Sequence, residues 1–213
     1  MAFITHVKIC GVTTVEDARM CVEAGASAIG LNFVPSSPRR VVVERARAIA
    51  RAVKGKALLV AVVADMGVGE MKALLRDAEL ECLQLHGDET PGIVGAVLPH
   101  AYKAVRVASA EDVAEARRYP GPYLLVDARV EGALGGTGKT LDWPLVAELA
   151  TQRKLTLAGG LTPGNVAEAI RAVRPYCVDV ASGVESAPGV KDEGKVRAFV
   201  QAAREVAPPP PAS

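Results

Sequence analysis

Short apolar runs rich in Val, Ile and Leu alternate along this chain with amphipathic stretches carrying Arg, Glu and Ala. Eight runs read as strands: Val7–Cys10, Ala28–Phe33, Ala57–Ala64, Cys82–Leu85, Tyr102–Val107, Tyr123–Asp127, Leu155–Ala158 and Cys177–Ala181. Each is followed by a stretch that reads as a helix. Strands that alternate with helices make a parallel sheet. Parallel strands are buried on both faces and should read as continuous apolar runs, as Leu58–Val63 does. Eight such units predict an α/β chain, a single (β/α)8 TIM barrel with eight parallel strands, over an open doubly wound sheet. At 213 residues the chain is short for that fold, for which ~250 is typical, so the loops must be lean. No linker or composition shift divides it, which assigns 1–206 to the barrel. The tail 207–213, with four prolines in a row, reads as disordered.

Local signals support the helices. Thr13-x-x-Glu16 reads as a capping box opening the first one. Asp142 reads as the N-cap before Trp143–Thr151. Thr162-Pro163 reads as an N-cap followed by Pro at the first helical position, where its missing N–H costs nothing.

Composition narrows the function. Lys plus Arg is 25 against 24 Asp plus Glu, a formal net charge of +1. That balance lacks the basic excess of a nucleic-acid binder. No run of about 18 apolar residues is present, so no membrane-spanning helix is expected. Cys10, Cys21, Cys82 and Cys177 form no CxxC, and with His6, His86 and His100 they complete no zinc pattern. Isolated cysteines, with no secretion signal in Met1–Lys8, point to a reducing cytoplasm.

In such a barrel the active site lies where strands end. There the chain places Cys10-Gly11, Arg39-Arg40, His86-Gly87, Asp127, Gly159-Gly160 and Ser182-Gly183. A thiol, a guanidinium, an imidazole and a carboxylate thus share one rim with two Gly-bearing loops. Barrels of this type often bind phosphate at the loops after strands seven and eight. Glycines there let backbone N–H groups approach an anion, although tight turns alone would also use them. An ordinary thiol is only about 3% thiolate at pH 7, and a pKa lowered by one unit would make it about a quarter. Cys10 is therefore a candidate general base, whereas Cys21, Cys82 and Cys177 read as small buried hydrophobes. Asp127 reads as a loop cap or as an acid whose pKa burial must raise. His86 reads equally as structural or ligand-binding. Arg39 or Arg40 could clamp a carboxylate bidentately. Lys8 shares parity with Cys10, and barrel closure places it near Asp179, so the two are expected to pair. The alternative has Lys8 pointing outward.

Gly135-Gly136-Thr137-Gly138-Lys139-Thr140 looks like a nucleotide-binding P-loop, but Ala133 stands where that pattern needs Gly. Gly135, Gly136, Gly138 and Lys139 read instead as a mobile loop that closes over substrate.

The segments VKICGVT at 7–13, SSPRRV at 36–41, QLHGDE at 84–89, GGTGKTLDW at 135–143, AGGLTPGNV at 158–166 and VDVASGVESAPGVKD at 178–192 together resemble the phosphoribosylanthranilate isomerase family of tryptophan biosynthesis. The resemblance implies an Amadori rearrangement of a phosphorylated sugar amine to its deoxyribulose phosphate product. It implies Asp127 as general acid, Cys10 as general base, and Arg39 on the anthranilate carboxylate. Gly159, Gly160, Ser182 and Gly183 would hold phosphate, with His86 and Asp179 lining the rim. No metal or organic cofactor is implied, because the imine itself is the electron sink. The sequence leaves oligomeric state open, a homodimer included. Two departures stand out. Ala61-Val62-Val63-Ala64-Asp65 lacks the family's aromatic near Val63, which implies altered packing on that side of the pocket, and Leu141 replaces a frequent Phe. A histidine-pathway isomerase would use two aspartates and show a half-repeat, and indole-glycerol phosphate synthase would carry a longer amino-terminal segment.

Overall fold

The computed structural model describes residues 5–127 and 143–206. Eight strands close into one parallel barrel in sequence order. They are β1 (His6–Cys10), β2 (Ala28–Asn32), β3 (Leu58–Val63), β4 (Cys82–Leu85), β5 (Ala101–Arg106), β6 (Tyr123–Asp127), β7 (Lys154–Ala158) and β8 (Cys177–Val180). Between them run α1 (Val15–Ala24), α2 (Val43–Ala52), α3 (Val68–Ala78), α4 (Pro91–Val97), α5 (Ala110–Ala116), α6 (Trp143–Gln152) and α7 (Val166–Val173). The expected strands and the observed ones agree to within about a residue at each end.

Beyond β8 the chain forms elements that the apolar runs do not announce. A turn of 3-10 helix, Ser182–Val184, leads into a small antiparallel hairpin, β9 (Glu185–Ala187) and β10 (Val190–Lys191). Then α8 (Glu193–Arg204) packs back on α1 and α7. The hairpin's strands are too short to show an alternation.

Strand parity divides the core. Ile9, Ile29, Val63, Leu83 and Leu85 point outward and are buried under the helices. Each such side chain contributes about 1.5–3 kcal/mol when fully buried. The lumen holds a smaller cluster, Val60, Tyr102, Ala104, Leu125 and Ala158. Lys8, Gln84, Thr156 and Asp179 are buried polar residues of the inward parity. A lumen with polar groups in it must satisfy them internally.

Two cap assignments change. Thr14, not Thr13, is the N-cap of α1 and accepts from the Asp17 N–H. Thr13 instead donates to the Gly189 carbonyl at 2.7 Å, tying the β1–α1 loop to the hairpin. The Thr162-Pro163 pair opens a turn rather than α7, which starts at Val166. Asn165 folds back to accept from the Thr162 N–H and donate to the Gly160 carbonyl, so the chain turns once before the helix begins. Asp142 and the tail 207–213 lie outside the described residues.

Candidate active site

A cavity of about 280 Å³ opens at the carboxyl ends of the strands. The barrel brings nine of the rim candidates named from sequence to its lining: Cys10, Arg39, His86, Asp127, Gly159, Gly160, Asp179, Ser182 and Gly183. Arg40 is not among the lining residues. Gly135, Gly136, Gly138 and Lys139 fall outside the described residues.

Cys10 ends β1, and Asp127 ends β6, three strands away around the ring. The thiol is tightly housed. A Cβ on Gly30 of β2 would lie 2.7 Å from its sulfur, so only glycine leaves room there. Burial pushes the Cys10 thiol above its ordinary value, with Asp179 adding to the rise, while Lys8 and Lys191 pull the other way. This reverses the expectation of a lowered pKa, because desolvation outweighs the nearby cations. Burial also pushes up the thiols of Cys21 and Cys177, each to about 12, as expected of small buried hydrophobes.

Lys8 and Asp179 do pair, at 3.0 Å, each almost fully buried. Adjacent strands put them in register, Lys8 opposite Asp179. Burial would lower the Lys8 pKa, but the Asp179 charge and hydrogen bond raise it well above its ordinary value. The Asp179 Oδ1 is buried without a hydrogen-bond partner among the described residues.

His86 is held from one side. Tyr102 donates to the Gln84 amide oxygen at 3.1 Å, and the Gln84 amide nitrogen meets His86 Nδ1 at 2.9 Å. Oriented this way, the amide donates to Nδ1 and a neutral ring keeps its proton on Nε2. Burial lowers the His86 pKa and outweighs the pull of Asp127 and Asp179, so the ring is a neutral hydrogen-bond donor.

Arg39 does not present an open fork. Its Nε and Nη2 donate to the two oxygens of Glu185 at 2.8 and 2.6 Å. The bidentate edge that the sequence offers to a ligand carboxylate is thus occupied by a protein carboxylate. Glu185 also accepts from Lys191 at 2.8 Å. Burial would raise the Glu185 pKa, but these bonds outweigh it and hold the carboxyl below its usual range.

The far end of the cavity is backbone. Gly159 and Gly160 have φ of +98° and +66°, open to glycine at little cost. A Cβ on Gly183 would lie 2.0 Å from the Leu161 carbonyl oxygen, so this glycine is required by the close approach of the β7 and β8 loops. Ser182 and Gly183 open the 3-10 turn beside it.

The missing aromatic matters less than expected. Val62 lines the cavity, while Val63 has the outward parity and is buried under the helices. The departure therefore falls in the helix-facing core. Sequence reasoning also missed three buried partners of the rim. Glu185 and Lys191 are two. The third is Lys103, which donates to the Leu85 and Gly87 carbonyls and pairs with Glu89 at 3.1 Å, bracing the segment that carries His86. Among the described residues no group of three His, Cys, Asp or Glu side chains is placed to hold a metal ion. No described helix is long and apolar enough to cross a membrane.

The family model for N-(5′-phosphoribosyl)anthranilate isomerase matches residues 7–202. A Myxococcus xanthus protein of that name is 46% identical over 206 residues, covering 94% of this chain and 97% of its own. A solved Thermotoga maritima phosphoribosylanthranilate isomerase superposes with a TM-score of 0.85 at 37% identity, covering 94% and 98% of the two chains. Another solved isomerase, in complex with reduced 1-(o-carboxyphenylamino)-1-deoxyribulose 5-phosphate, gives 0.83 at 34% identity, again covering 94% and 98%. With a family match spanning nearly the whole barrel and relatives similar along their full length, the chain belongs to the N-(5′-phosphoribosyl)anthranilate isomerase family.

Proposed function

We propose that the chain converts N-(5′-phosphoribosyl)anthranilate to 1-(2-carboxyphenylamino)-1-deoxyribulose 5-phosphate. The observation that carries this reading is the convergence of thiol, carboxyl, guanidinium and glycine-rich backbone on one cavity. It is supported by the bound product analogue in a relative of 34% identity.

The substrate is an anion at both ends. Its phosphate would lie against the backbone of Gly159, Gly160, Ser182 and Gly183. Its anthranilate carboxylate would take guanidinium N–H groups of Arg39 that Glu185 does not hold. Held so, the ribose ring spans the cavity between Asp127 and Cys10. Asp127 acts as general acid. It gives its proton to the ring oxygen, the C1–O bond breaks, and the nitrogen lone pair forms a protonated imine with C1. Cys10 acts as general base. Its thiolate removes the C2 proton, and the C–H electrons form the C1–C2 double bond as the imine electrons return to nitrogen. The resulting enol gives its hydroxyl proton to water and takes one from water at C1, giving the ketone, while Asp127 regains and Cys10 releases a proton to complete the cycle. Atoms and charge balance without any added reagent.

The raised thiol pKa fits this order. Before substrate binds, burial favours the neutral thiol. Once the ring has opened, the protonated imine supplies a positive charge beside it, which favours release of the thiol proton to water and leaves thiolate when the base is needed. His86, neutral and presenting Nε2–H, would donate to a substrate oxygen on the Asp127 side. Asp179 would hold Lys8 under Cys10.

The test is turnover of freshly prepared phosphoribosylanthranilate by the wild-type protein, followed by the change in anthranilate fluorescence, with the product identified by mass and chromatography. Conversion to the deoxyribulose phosphate is expected. Binding without conversion would refute the reading.

A further inference from the structure

We infer that Glu185 and Lys191 are positioning residues for the isomerisation: one buried ion pair on the β9–β10 hairpin fixes the Arg39 guanidinium relative to the carboxyl end of β1. The inference rests on the reaction proposed above.

Three observations support it. Lys191 has a fully buried side chain, and its ammonium group donates to the Cys10 carbonyl at 2.6 Å, the Ala181 carbonyl at 3.3 Å and Glu185 Oε1 at 2.8 Å. All three of its donors are therefore used, and they join the ends of β1 and β8. Glu185, also buried, accepts from Lys191 and holds both forked donors of Arg39. A planar bidentate pair fixes orientation as well as distance, so the guanidinium is set before a ligand arrives. Finally, the Arg39 side chain crosses the end of β1: a Cβ on Gly11 would lie 2.4 Å from Arg39 Cδ. The donor for one end of the substrate and the backbone of the proposed base are thus braced by a single carboxylate.

A surface strut would need none of this. Lys195 and Asp192 already anchor the hairpin to α8, through the Glu185 carbonyl and the cap of that helix. The pair instead lies behind Arg39 and the end of β1, and the Lys191 charge reaches the thiol. Among the described residues the charged groups acting on Cys10 are Lys8, Asp179, Lys191 and Arg39.

The experiment compares wild type, Glu185→Gln and Lys191→Met, with melting temperature measured for each. Two readouts are taken: kcat and KM for phosphoribosylanthranilate, and the pH dependence of iodoacetamide alkylation at Cys10, followed by mass spectrometry of its peptide. Glu185→Gln is expected to raise KM about tenfold while kcat stays within about threefold, the signature of lost ground-state positioning. Its alkylation midpoint moves to lower pH, because Lys191 and Arg39 lose their counter-charge. Lys191→Met moves the midpoint to higher pH. Opposite shifts identify electrostatic positioning, since general loosening would move both variants the same way. If Glu185→Gln does not fold, Glu185→Asp keeps the charge but shortens the reach, and it should raise KM with the midpoint unchanged. Wild-type KM in the Gln variant, or in the Asp variant where that one is read, would overturn the inference, and so would midpoints that do not separate. Absent wild-type turnover would sink the proposed reaction instead, and the alkylation shifts would then decide the positioning role alone.

Discussion

Replacing Lys8 with Met should be among the most damaging single changes to stability that leaves the backbone alone. The Lys8–Asp179 pair is 3.0 Å long, with side-chain exposures of 3% and 7%. The other oxygen of Asp179 is already buried without a hydrogen-bond partner among the described residues. Lys8→Met therefore leaves a carboxylate in the lumen with neither oxygen compensated by its former partner. Breaking a buried pair from one side costs about 3–5 kcal/mol. A chain of this size loses about 2–4 °C of Tm per kcal/mol, so Tm should fall by about 6–20 °C. Calorimetry at pH 7.5 measures it. Replacing both partners, as in Lys8→Met with Asp179→Leu, should recover more than half the loss, because an apolar pair leaves no orphaned charge.

The pH dependence follows from sign. In wild type the Lys8 pKa is raised. Its contribution is complete below the ordinary lysine value and is lost only as pH rises through the raised value, so the pair is insensitive between pH 6 and 9. A Tm within about 2 °C of wild type at pH 7.5, or a double variant no better than the single one, would refute the reasoning.

Other expectations are more local. Gly183→Ala would place a Cβ 2.0 Å from the Leu161 carbonyl oxygen, so KM should rise at least about tenfold; isothermal titration with inorganic phosphate should show the matching loss of affinity. Because burial holds the Cys10 thiol above its ordinary value, kcat/KM should keep rising with pH through the range where that base loses its proton. A profile level from pH 7 upward would contradict the burial argument. Arg39→Ala should act mainly on KM, and its Tm should also fall, because Glu185 keeps only Lys191 as a cationic partner.

The strands are legible from sequence because both their faces are buried, which writes them as predominantly apolar runs, continuous in β3 and interrupted in others by a lumen residue such as Lys8 or Asp179. Lys8 and Asp179 could be paired across 171 positions because parity and barrel closure together specify neighbours. Parity also held the answer for Val63, since Val60 and Val62 share the inward side and Val63, one residue on, does not. The hairpin offered no comparable signal. Its strands span three and two residues, and Glu185 meets Arg39 across 146 positions through loops whose course no periodicity encodes. The direction of the Cys10 shift was illegible for another reason. It is a difference between burial and two lysines, one of them on that same hairpin.

The central claim is that Cys10 and Asp127 move the protons. Its most direct test is the kcat of Cys10→Ala and Asp127→Asn on phosphoribosylanthranilate, beside wild type and with Tm measured for each. Loss of at least about a hundredfold in each variant, with Tm close to wild type, is the predicted result. Near-normal turnover by either variant would contradict the account.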